Sequence, residues 1–211
     1  MIAEKYITSS CLITGNTVYK NGKQLFINKE TDTPGFFLSV YKHFNINYSR
    51  FYKMDFLSKL GWLASEIVLK DEFKEESYKP QDIGLILSNA NSSLNTDQRY
   101  MVSVSDIPSS SLFVYTLPNI VTGEICIRNG FKGEDAFFVF ESFNADFLVR
   151  YVSNLMDNNI LQVCICGWIE LVGNEYKAAL FLVEKLKSNN AVPFTKEEMN
   201  RIFDDKKMSI Q

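Results

Sequence analysis

The sequence contains a single histidine, His43, and its few cysteines form no Cys-x-x-Cys pair. A lone histidine has no second histidine with which to hold a metal ion and no evident acid–base partner, so we assign it a structural or surface role. The four cysteines stand in apolar stretches without zinc-finger spacing, which predicts buried reduced thiols: Cys11, Cys126, Cys164 and Cys166. Because no Gly-rich phosphate loop occurs either, the sequence predicts neither a metal nor a cofactor.

Long apolar runs and blocks of like charge are missing as well. No stretch reaches the roughly 18 apolar residues that a membrane-spanning helix needs. The first ten residues, MIAEKYITSS, lack a basic segment followed by a long apolar one, so we expect no secretory signal and a cytoplasmic location. The 22 basic and 25 acidic residues are interspersed and give a net charge of −3, which argues against a nucleic-acid partner.

Aromatic residues, in contrast, are plentiful. The 211 residues include 17 Phe and 10 Tyr, and each buried aromatic side chain removes roughly 150–250 Å² from water. The chain can therefore bury a sizeable core. Strand-like and helix-like patterns alternate along it, which favours an α/β domain with helices layered on a sheet.

Hydrophobic periodicity and turn residues place most of the elements. Asn21-Gly22 predicts a hairpin between two N-terminal strands, and Thr195 followed by Glu198 predicts a capped terminal helix through Phe203. Between them we predict helices over 55–70 and 145–158, and strands over 83–88, 161–171 and 176–186.

Two stretches give weaker signals. Residues 31–52 predict an irregular surface excursion with one short helical piece, and NANSSLNTDQ (89–98) predicts a polar loop. Pro118 suits the first turn of a further helix, where its missing N–H costs nothing.

A strand-to-helix corner lies within FKGEDAFFVFESFNADFLV (131–149), where the run FFVF (137–140) stops at Glu-Ser. Enzymes often hold a nucleophile at such a corner. A serine hydroxyl needs an adjacent base, however, and Ser142 stands in no Gly-x-Ser-x-Gly elbow. Ser142 or Asn144 is better explained as the N-cap of the following helix, worth about 1 kcal/mol.

Several segments together carry a family resemblance. ITSSCLITG, FYKMDFLSKLGWLASEIVLKD and IGLILSNANSSL look like a known opening strand, first helix and second strand, and the most specific segment is SLFVYTLPNIVTGEICIRNGFKGE. That segment holds Pro118-Asn119, a helix, and then Gly130 and Gly133 before the corner. In this order they resemble the N-terminal half of the β-ketoacyl-(acyl carrier protein) synthases, of the thiolase-like superfamily, over roughly residues 5–185.

The resemblance implies a fold and a domain division. The fold would be a single thiolase-like half-domain, a layered α/β structure with a mixed central sheet. We assign residues 1–188 to this domain and 189–211 to a C-terminal tail with a short helix.

Two departures from the family bear on activity. Its members carry a cysteine at the corner after this strand, whereas Ser142 stands at the matching position here and no cysteine lies between 127 and 163. The family's two catalytic histidines lie in a C-terminal half that this chain does not contain, and His43 matches neither. Phe140, Phe143 and Asn144 remain as weak candidates for substrate contacts.

The resemblance implies an accessory protein, without condensing activity, of fatty-acid, polyketide or aryl-polyene-type pigment synthesis. Inactive homologues in this family often pair with ketosynthases and shape the pocket that sets chain length. The strand before the corner pairs across the dimer interface in related enzymes, so we expect a dimer with a second copy or with a full-length ketosynthase.

Two alternatives remain open. The chain could be a ketosynthase-type acyltransferase that is active only in a composite site with a partner, or a module that binds an acyl chain or an acyl carrier protein.

Overall fold

The computed structural model describes residues 4–188 and 190–204, which form one mixed sheet with helices on both faces. The strands are β1 (Tyr6–Thr14), β2 (Thr17–Lys20), β3 (Lys23–Ile27), β4 (Ile83–Asn89), β5 (Asp135–Val139), β6 (Val163–Val172), β7 (Glu175–Glu184) and β8 (Val192–Pro193). The helices are α1 (Thr33–His43), α2 (Phe56–Leu69), α3 (Leu94–Val104), α4 (Ser110–Val114), α5 (Ile120–Asn129), α6 (Ala145–Asp157) and α7 (Lys196–Phe203). Short 3-10 turns occupy Ser49–Lys53, Glu75–Ser77 and Pro80–Asp82.

The strand order is β3-β2-β1-β7-β6-β4-β5, and β8 adds to β1 at Tyr6 and Ile7. β4 runs parallel to β5 and to β6, whereas β7 runs antiparallel to both β6 and β1. The described sheet therefore has two edges, β3 at one side and β5 at the other. The predicted α/β fold with a mixed central sheet is confirmed.

Each face of the sheet has its own core. α1, α2 and α5 cover one face, where Leu60, Trp62 and Ile125 are fully buried. α6 and α7 cover the other face, where Leu148 and Met199 are fully buried. Because β4 is covered on both sides, its seven residues are all buried, which explains its continuous apolar sequence.

The strongest local signals are confirmed. β2 and β3 meet at Asn21-Gly22, and both turn residues have positive φ (50° and 77°), as a tight hairpin requires. α2 begins after Asp55, whose carboxylate accepts a hydrogen bond from the Ser58 N–H at 2.9 Å.

Residues 31–52 were predicted to form an irregular surface excursion, and this prediction was wrong. α1 is a regular helix of 11 residues, capped by Asp32 and with Pro34 in its first turn. Phe36 and Val40 lie four residues apart, so they share one face of the helix and are fully buried. The turn signal of Pro34-Gly35 marked the start of this helix rather than a loop.

The predicted loop 89–98 was also partly wrong, because α3 begins at Leu94. Its N-terminal turn is polar, and such a turn is hard to distinguish from a loop by periodicity. Pro118 lies just before α5 rather than within its first turn, since Asn119 occupies the N-cap.

The C-terminal tail, predicted from residue 189, falls partly outside the described residues, which omit 189 and 205–211. Within the described part, Thr195 accepts a hydrogen bond from the Glu198 N–H and caps α7, as predicted. α7 packs against α6 and β1 through the buried side chains of Met199 and Ile202.

Candidate functional site

The corner between β5 and α6 lies at the carboxyl end of the parallel strands. β5 pairs in register with β4, Val139 opposite Asn89, and the Phe140 N–H then donates to the Asn89 carbonyl at 2.9 Å. The chain turns through residues 140–144 and enters α6 at Ala145. In α/β sheets, ligand sites commonly lie at the carboxyl ends of parallel strands.

Ser142 and Asn144 have different roles at this corner. The Asn144 Oδ1 atom accepts a hydrogen bond from the Phe147 N–H at 3.0 Å, so Asn144 is the N-cap of α6. Ser142 is exposed, and its hydroxyl makes no hydrogen bond within the described part of the chain. Of the two capping candidates, only Asn144 therefore caps the helix, and the described residues provide no base in hydrogen-bond contact with Ser142.

Phe143 fills the space behind the corner. Its ring stacks on Phe203 of α7, with centroids 4.2 Å apart and planes 15° apart, and lies within 6.3 Å of the Trp168 and Phe181 rings. The Lys177 ammonium lies 3.6 Å from the centroid of the Phe203 ring. The described residues thus close the interior behind Ser142 with aromatic side chains.

Phe140 belongs to a second aromatic group, which lies along the β5 edge. Its ring lies 5.9 Å from that of Phe138 and 4.9 Å from that of Phe147, and Tyr151 stacks on Phe147 at 5.5 Å. All four rings are only half-buried. The two aromatic candidates for substrate contacts therefore lie in different places. Phe143 packs towards the interior, and Phe140 lies at the β5 edge.

Neither the histidine nor the cysteines provide a base or a thiolate at the corner. The His43 ring lies 4.5 Å from Phe26 of β3, at the opposite edge of the sheet from the corner. Burial raises the pKa of the Cys126 thiol to about 11, and it also raises the pKa values of the other three cysteines. These thiols stay protonated near neutral pH, so none is poised as a thiolate nucleophile.

Glu170, in the last part of β6, holds a loop beside the corner. Its carboxylate accepts hydrogen bonds from the Ala90 N–H at 2.7 Å and the Asn91 N–H at 3.3 Å. These bonds hold the chain that leaves β4 against the end of β6. Glu170 therefore positions the backbone of this loop, and its carboxylate already occupies the Ala90 and Asn91 N–H groups.

Among the described residues, no strand pairs with the outer side of β5, so backbone groups along this edge have no strand partner. The Glu134 carbonyl accepts from the Leu85 N–H at 3.0 Å, and the Phe140 N–H donates to Asn89, so even-numbered residues face β4. Because hydrogen-bonding groups alternate along a strand, Phe137 and Val139 direct their N–H and C=O groups away from the sheet. The Val139 side chain is also 51% exposed.

A cationic cleft lies between the N-terminus of α2 and the α3–α4 region. It has a volume of about 470 Å³, and Lys53, Lys59 and Arg99 line it. The Lys59 ammonium and the Arg99 guanidinium lie 5.4 Å and 5.0 Å from the centroid of the same Phe56 ring. Within the described residues none of the three cations forms an ion pair.

Asp55, an acid that lines the cleft, forms no ion pair with these cations within the described residues. It is 5% exposed, and its carboxylate accepts from the Ser58 N–H and, at 2.6 Å, from the Thr96 hydroxyl. Burial lowers the pKa of Lys59, which the Asp55 charge partly opposes. A compact anion in this cleft would meet cations that form no ion pair within the part of the chain that the structure describes.

Sequence reasoning missed this cleft. Arg99 stands next to a segment predicted as a loop, and its distance from Lys53 and Lys59 along the chain hid their proximity. The basic residues also form no run, so charge patterning gave no signal. The contact of Phe143 with Phe203 was missed for a similar reason, since 60 residues separate them.

Two further kinds of feature are missing from the part of the chain that the structure describes. No group of three or more His, Cys, Asp or Glu side chains is placed to hold a metal ion. No described helix is both long enough and apolar enough to cross a membrane.

Comparison with known proteins gave matches in structure but not in sequence. No protein-family model and no curated protein matches the sequence. Among solved structures, the ishigamide ketosynthase/chain length factor superposes with a TM-score of 0.64 at 14% identity, over 90% of this chain and 64% of that one. A type II polyketide synthase acyl-carrier protein in complex with its ketosynthase matches with a TM-score of 0.61 at 14% identity, over 87% and 63%.

A third match is a ketosynthase in complex with its chain length factor from Xenorhabdus doucetiae, with a TM-score of 0.54 at 8% identity, over 85% of this chain and 77% of that one. This chain thus spans less than two thirds of the first two matched chains. At these identities the likeness concerns the fold. The chain has the thiolase-like fold of the ketosynthases, as its sequence resemblance predicted.

Proposed function

We propose that this protein is a non-condensing, ketosynthase-like accessory subunit that pairs through β5 with a ketosynthase involved in polyketide or fatty-acid synthesis. The observation that carries the proposal is the open β5 edge on a fold shared with ketosynthase/chain length factor structures. An edge with free N–H and C=O groups can accept a strand from a partner.

The chemistry of the corner supports the non-condensing part of the proposal. A condensing enzyme needs a thiolate at this position, whereas Ser142 carries a hydroxyl that forms no hydrogen bond to a base within the described residues. Phe143 and Phe203 fill the space behind it, their rings 4.2 Å apart. A subunit with this corner contributes shape and contacts rather than a nucleophile.

The side chains of β5 suit a buried strand pair. Phe138 packs against Phe147 at 4.8 Å and Tyr151 at 5.1 Å, yet all three rings remain half-exposed. A partner strand would cover the exposed parts of these rings, and aromatic pairs contribute roughly 0.5–1.5 kcal/mol beyond the area they bury.

Co-expression with each ketosynthase of the organism that encodes the chain tests the proposal. We expect one of them to form a stable heterodimer, measured by mass photometry, and purified protein alone to show at most weak self-association in sedimentation velocity. A chain that stays monomeric with every ketosynthase and at high concentration would contradict the proposal.

The cationic cleft favours a second candidate function, which is contact with an acyl carrier protein. A carrier protein presents its acyl chain on a phosphopantetheine arm, whose phosphate is an anion that unpaired cations can bind. Lys53, Lys59 and Arg99 supply such cations around a cleft of about 470 Å³.

Binding of holo-acyl carrier protein from the same organism, measured by isothermal titration calorimetry, tests this function. We expect Lys59→Glu with Arg99→Glu to weaken binding by about tenfold or more, since charge-assisted bonds contribute roughly 1.5–3 kcal/mol. Lys132→Glu, an exposed lysine that lines neither the cleft nor the edge, is the matched control. Equal loss in both variants would show only a general charge effect.

A further inference from the structure

A cavity of about 430 Å³ lies where α1, α2 and α5 end, at the opposite end of α2 from the cationic cleft. Phe44 is the C-cap of α1, Lys70 is the C-cap of α2, and Asn129 is the last residue of α5. All three line the cavity. Its volume is within the range of small-molecule sites, roughly 300–1,000 Å³. Helix C-termini carry partial negative charge, which favours a cationic group in a ligand that binds here.

Part of the cavity wall is apolar. Two aromatic and three aliphatic side chains contribute this surface: Phe44, Phe73, Ile46, Ile67 and Leu69. The Phe73 ring stacks on Tyr78 at 5.9 Å and meets the Phe131 ring edge-on at 5.9 Å, so its position is fixed by packing. An aromatic ring that enters the cavity therefore meets an aromatic wall that is already in place.

An ion pair forms another part of the wall. The Arg128 guanidinium donates to both oxygens of the Glu66 carboxylate, at 3.2 Å and 3.4 Å. Its central carbon also lies 5.2 Å from the centroid of the Tyr48 ring and 6.0 Å from that of the Trp62 ring. Because these contacts hold the guanidinium on two sides, the pair fixes the shape of the cavity and adds no net charge.

Two further charged side chains in the cavity have opposite signs. Within the described residues neither Lys70 nor Glu75 forms an ion pair. The Lys70 ammonium lies 5.3 Å from the centroid of the Phe44 ring, and Glu75 begins the 3-10 turn Glu75–Ser77. The cavity therefore offers one ammonium and one carboxylate with which a ligand can pair.

We propose that this cavity binds a free α-amino acid with an aromatic side chain. The ligand carboxylate pairs with Lys70, its ammonium group pairs with Glu75, and its ring packs against Phe73. A ligand with only one charge would leave either Lys70 or Glu75 without a partner. The site is independent of the proposed function, because the cavity includes no residue of β5 or of the cationic cleft.

Isothermal titration calorimetry of the purified full chain with L-phenylalanine and three analogues tests the site. Phenethylamine lacks the carboxylate, 3-phenylpropionate lacks the ammonium group, and L-alanine keeps both charges but lacks the ring. We expect each analogue to bind at least tenfold more weakly than L-phenylalanine, because each loses one of the three contacts. An absence of binding by L-phenylalanine up to about 10 mM, or equal Kd values for all four compounds, would overturn the proposal.

Lys70→Ala and Glu75→Gln assign the two charges, and both residues are exposed, so the variants should fold. With Lys70→Ala, we expect L-phenylalanine and phenethylamine to bind within about twofold of each other. With Glu75→Gln, the same should hold for L-phenylalanine and 3-phenylpropionate. Lys132→Ala, at an exposed lysine outside the cavity, is the matched control and should leave every Kd unchanged. Wild-type selectivity in both cavity variants would show that the amino acid binds elsewhere and would contradict the proposal.

Discussion

The two edges of the sheet, β3 and β5, differ in how they are protected. β3 begins with Lys23, and its pairing with β2 contains a register shift between Val18 and Tyr19, which marks a bulge. β5 contains neither Lys nor Pro, and its pairing with β4 is regular over all five residues. Lysine and bulges at an edge discourage pairing with another chain.

In the proposed function, this difference separates an edge that stays in solvent (β3) from an edge that pairs with a partner (β5). Leu25 and Ile27 of β3 are 42% and 40% exposed, so apolar exposure alone does not distinguish β3 from β5. The two edges are distinguished by the regular pairing of β5 with β4 and by the absence of Lys and Pro from β5. Substitutions that exchange or remove these features should affect the two edges differently.

Val139→Pro should have the largest effect on the complex. Proline removes an N–H that points away from the sheet, leaves the ladder with β4 intact and places its ring in the path of a partner strand. We expect Kd for the ketosynthase to rise by about tenfold or more, since each lost hydrogen bond costs roughly 0.5–1.5 kcal/mol and the ring adds a steric clash.

Ile27→Pro is the matched change at the β3 edge. The Asn28 N–H donates to the Asn16 carbonyl at 3.0 Å, so the N–H of the neighbouring Ile27 points away from β2. We expect Kd to change less than twofold. If Ile27→Pro and Val139→Pro weaken binding of the ketosynthase equally, the partner does not bind preferentially at β5.

Val139→Lys gives β5 the protective residue that β3 already carries. A partner strand would have to desolvate the ammonium group, so we expect Kd to rise by about five- to tenfold, or roughly 1 kcal/mol. Leu25→Lys at β3 should leave Kd unchanged. Biolayer interferometry at two salt concentrations measures both, and an unchanged Kd for Val139→Lys would contradict the pairing of this strand.

The corner that follows β5 should contribute stability rather than binding. Asn144→Ala removes the N-cap of α6 and should lower the free energy of unfolding by about 1 kcal/mol. Urea denaturation measures this change, and we expect Kd for the ketosynthase to stay within twofold of wild type.

Ser142→Ala should have the smallest effect of all. The residue is exposed and its hydroxyl is unbonded within the described residues, so the free energy of unfolding should change by less than about 0.5 kcal/mol. Mass spectrometry after incubation with acyl carrier protein thioesters provides the second readout. Acylation of wild type that Ser142→Ala removes would instead support a catalytic serine in a composite site.

Sequence periodicity predicted the central part of the fold, because β4 and α2 are bounded by strong local signals. Asp55 caps α2, and the apolar run of β4 has the length of a buried strand. α1 was missed because Pro34-Gly35 is a turn signal in most contexts, and only burial of Phe36 and Val40 reveals its helical face.

The candidate site was less accessible from the sequence. The corner and its helix cap are local features, so the sequence could locate them. It left two candidates for the N-cap of α6, Ser142 and Asn144. The cationic cleft depends on the approach of Lys59 to Arg99, and the closing of the corner depends on Phe203 of α7. Both are tertiary contacts between distant segments, which periodicity and spacing do not encode.

Hydrogen exchange on the complex with the ketosynthase, compared with the free chain, tests the difference between the edges most directly. We predict that the amides of Phe137 and Val139 exchange at least tenfold more slowly in the complex, while the amide of Ile27 exchanges at the same rate in both. Slowing at Ile27 without slowing at Phe137 and Val139 would contradict the assignment of β5 as the partner edge.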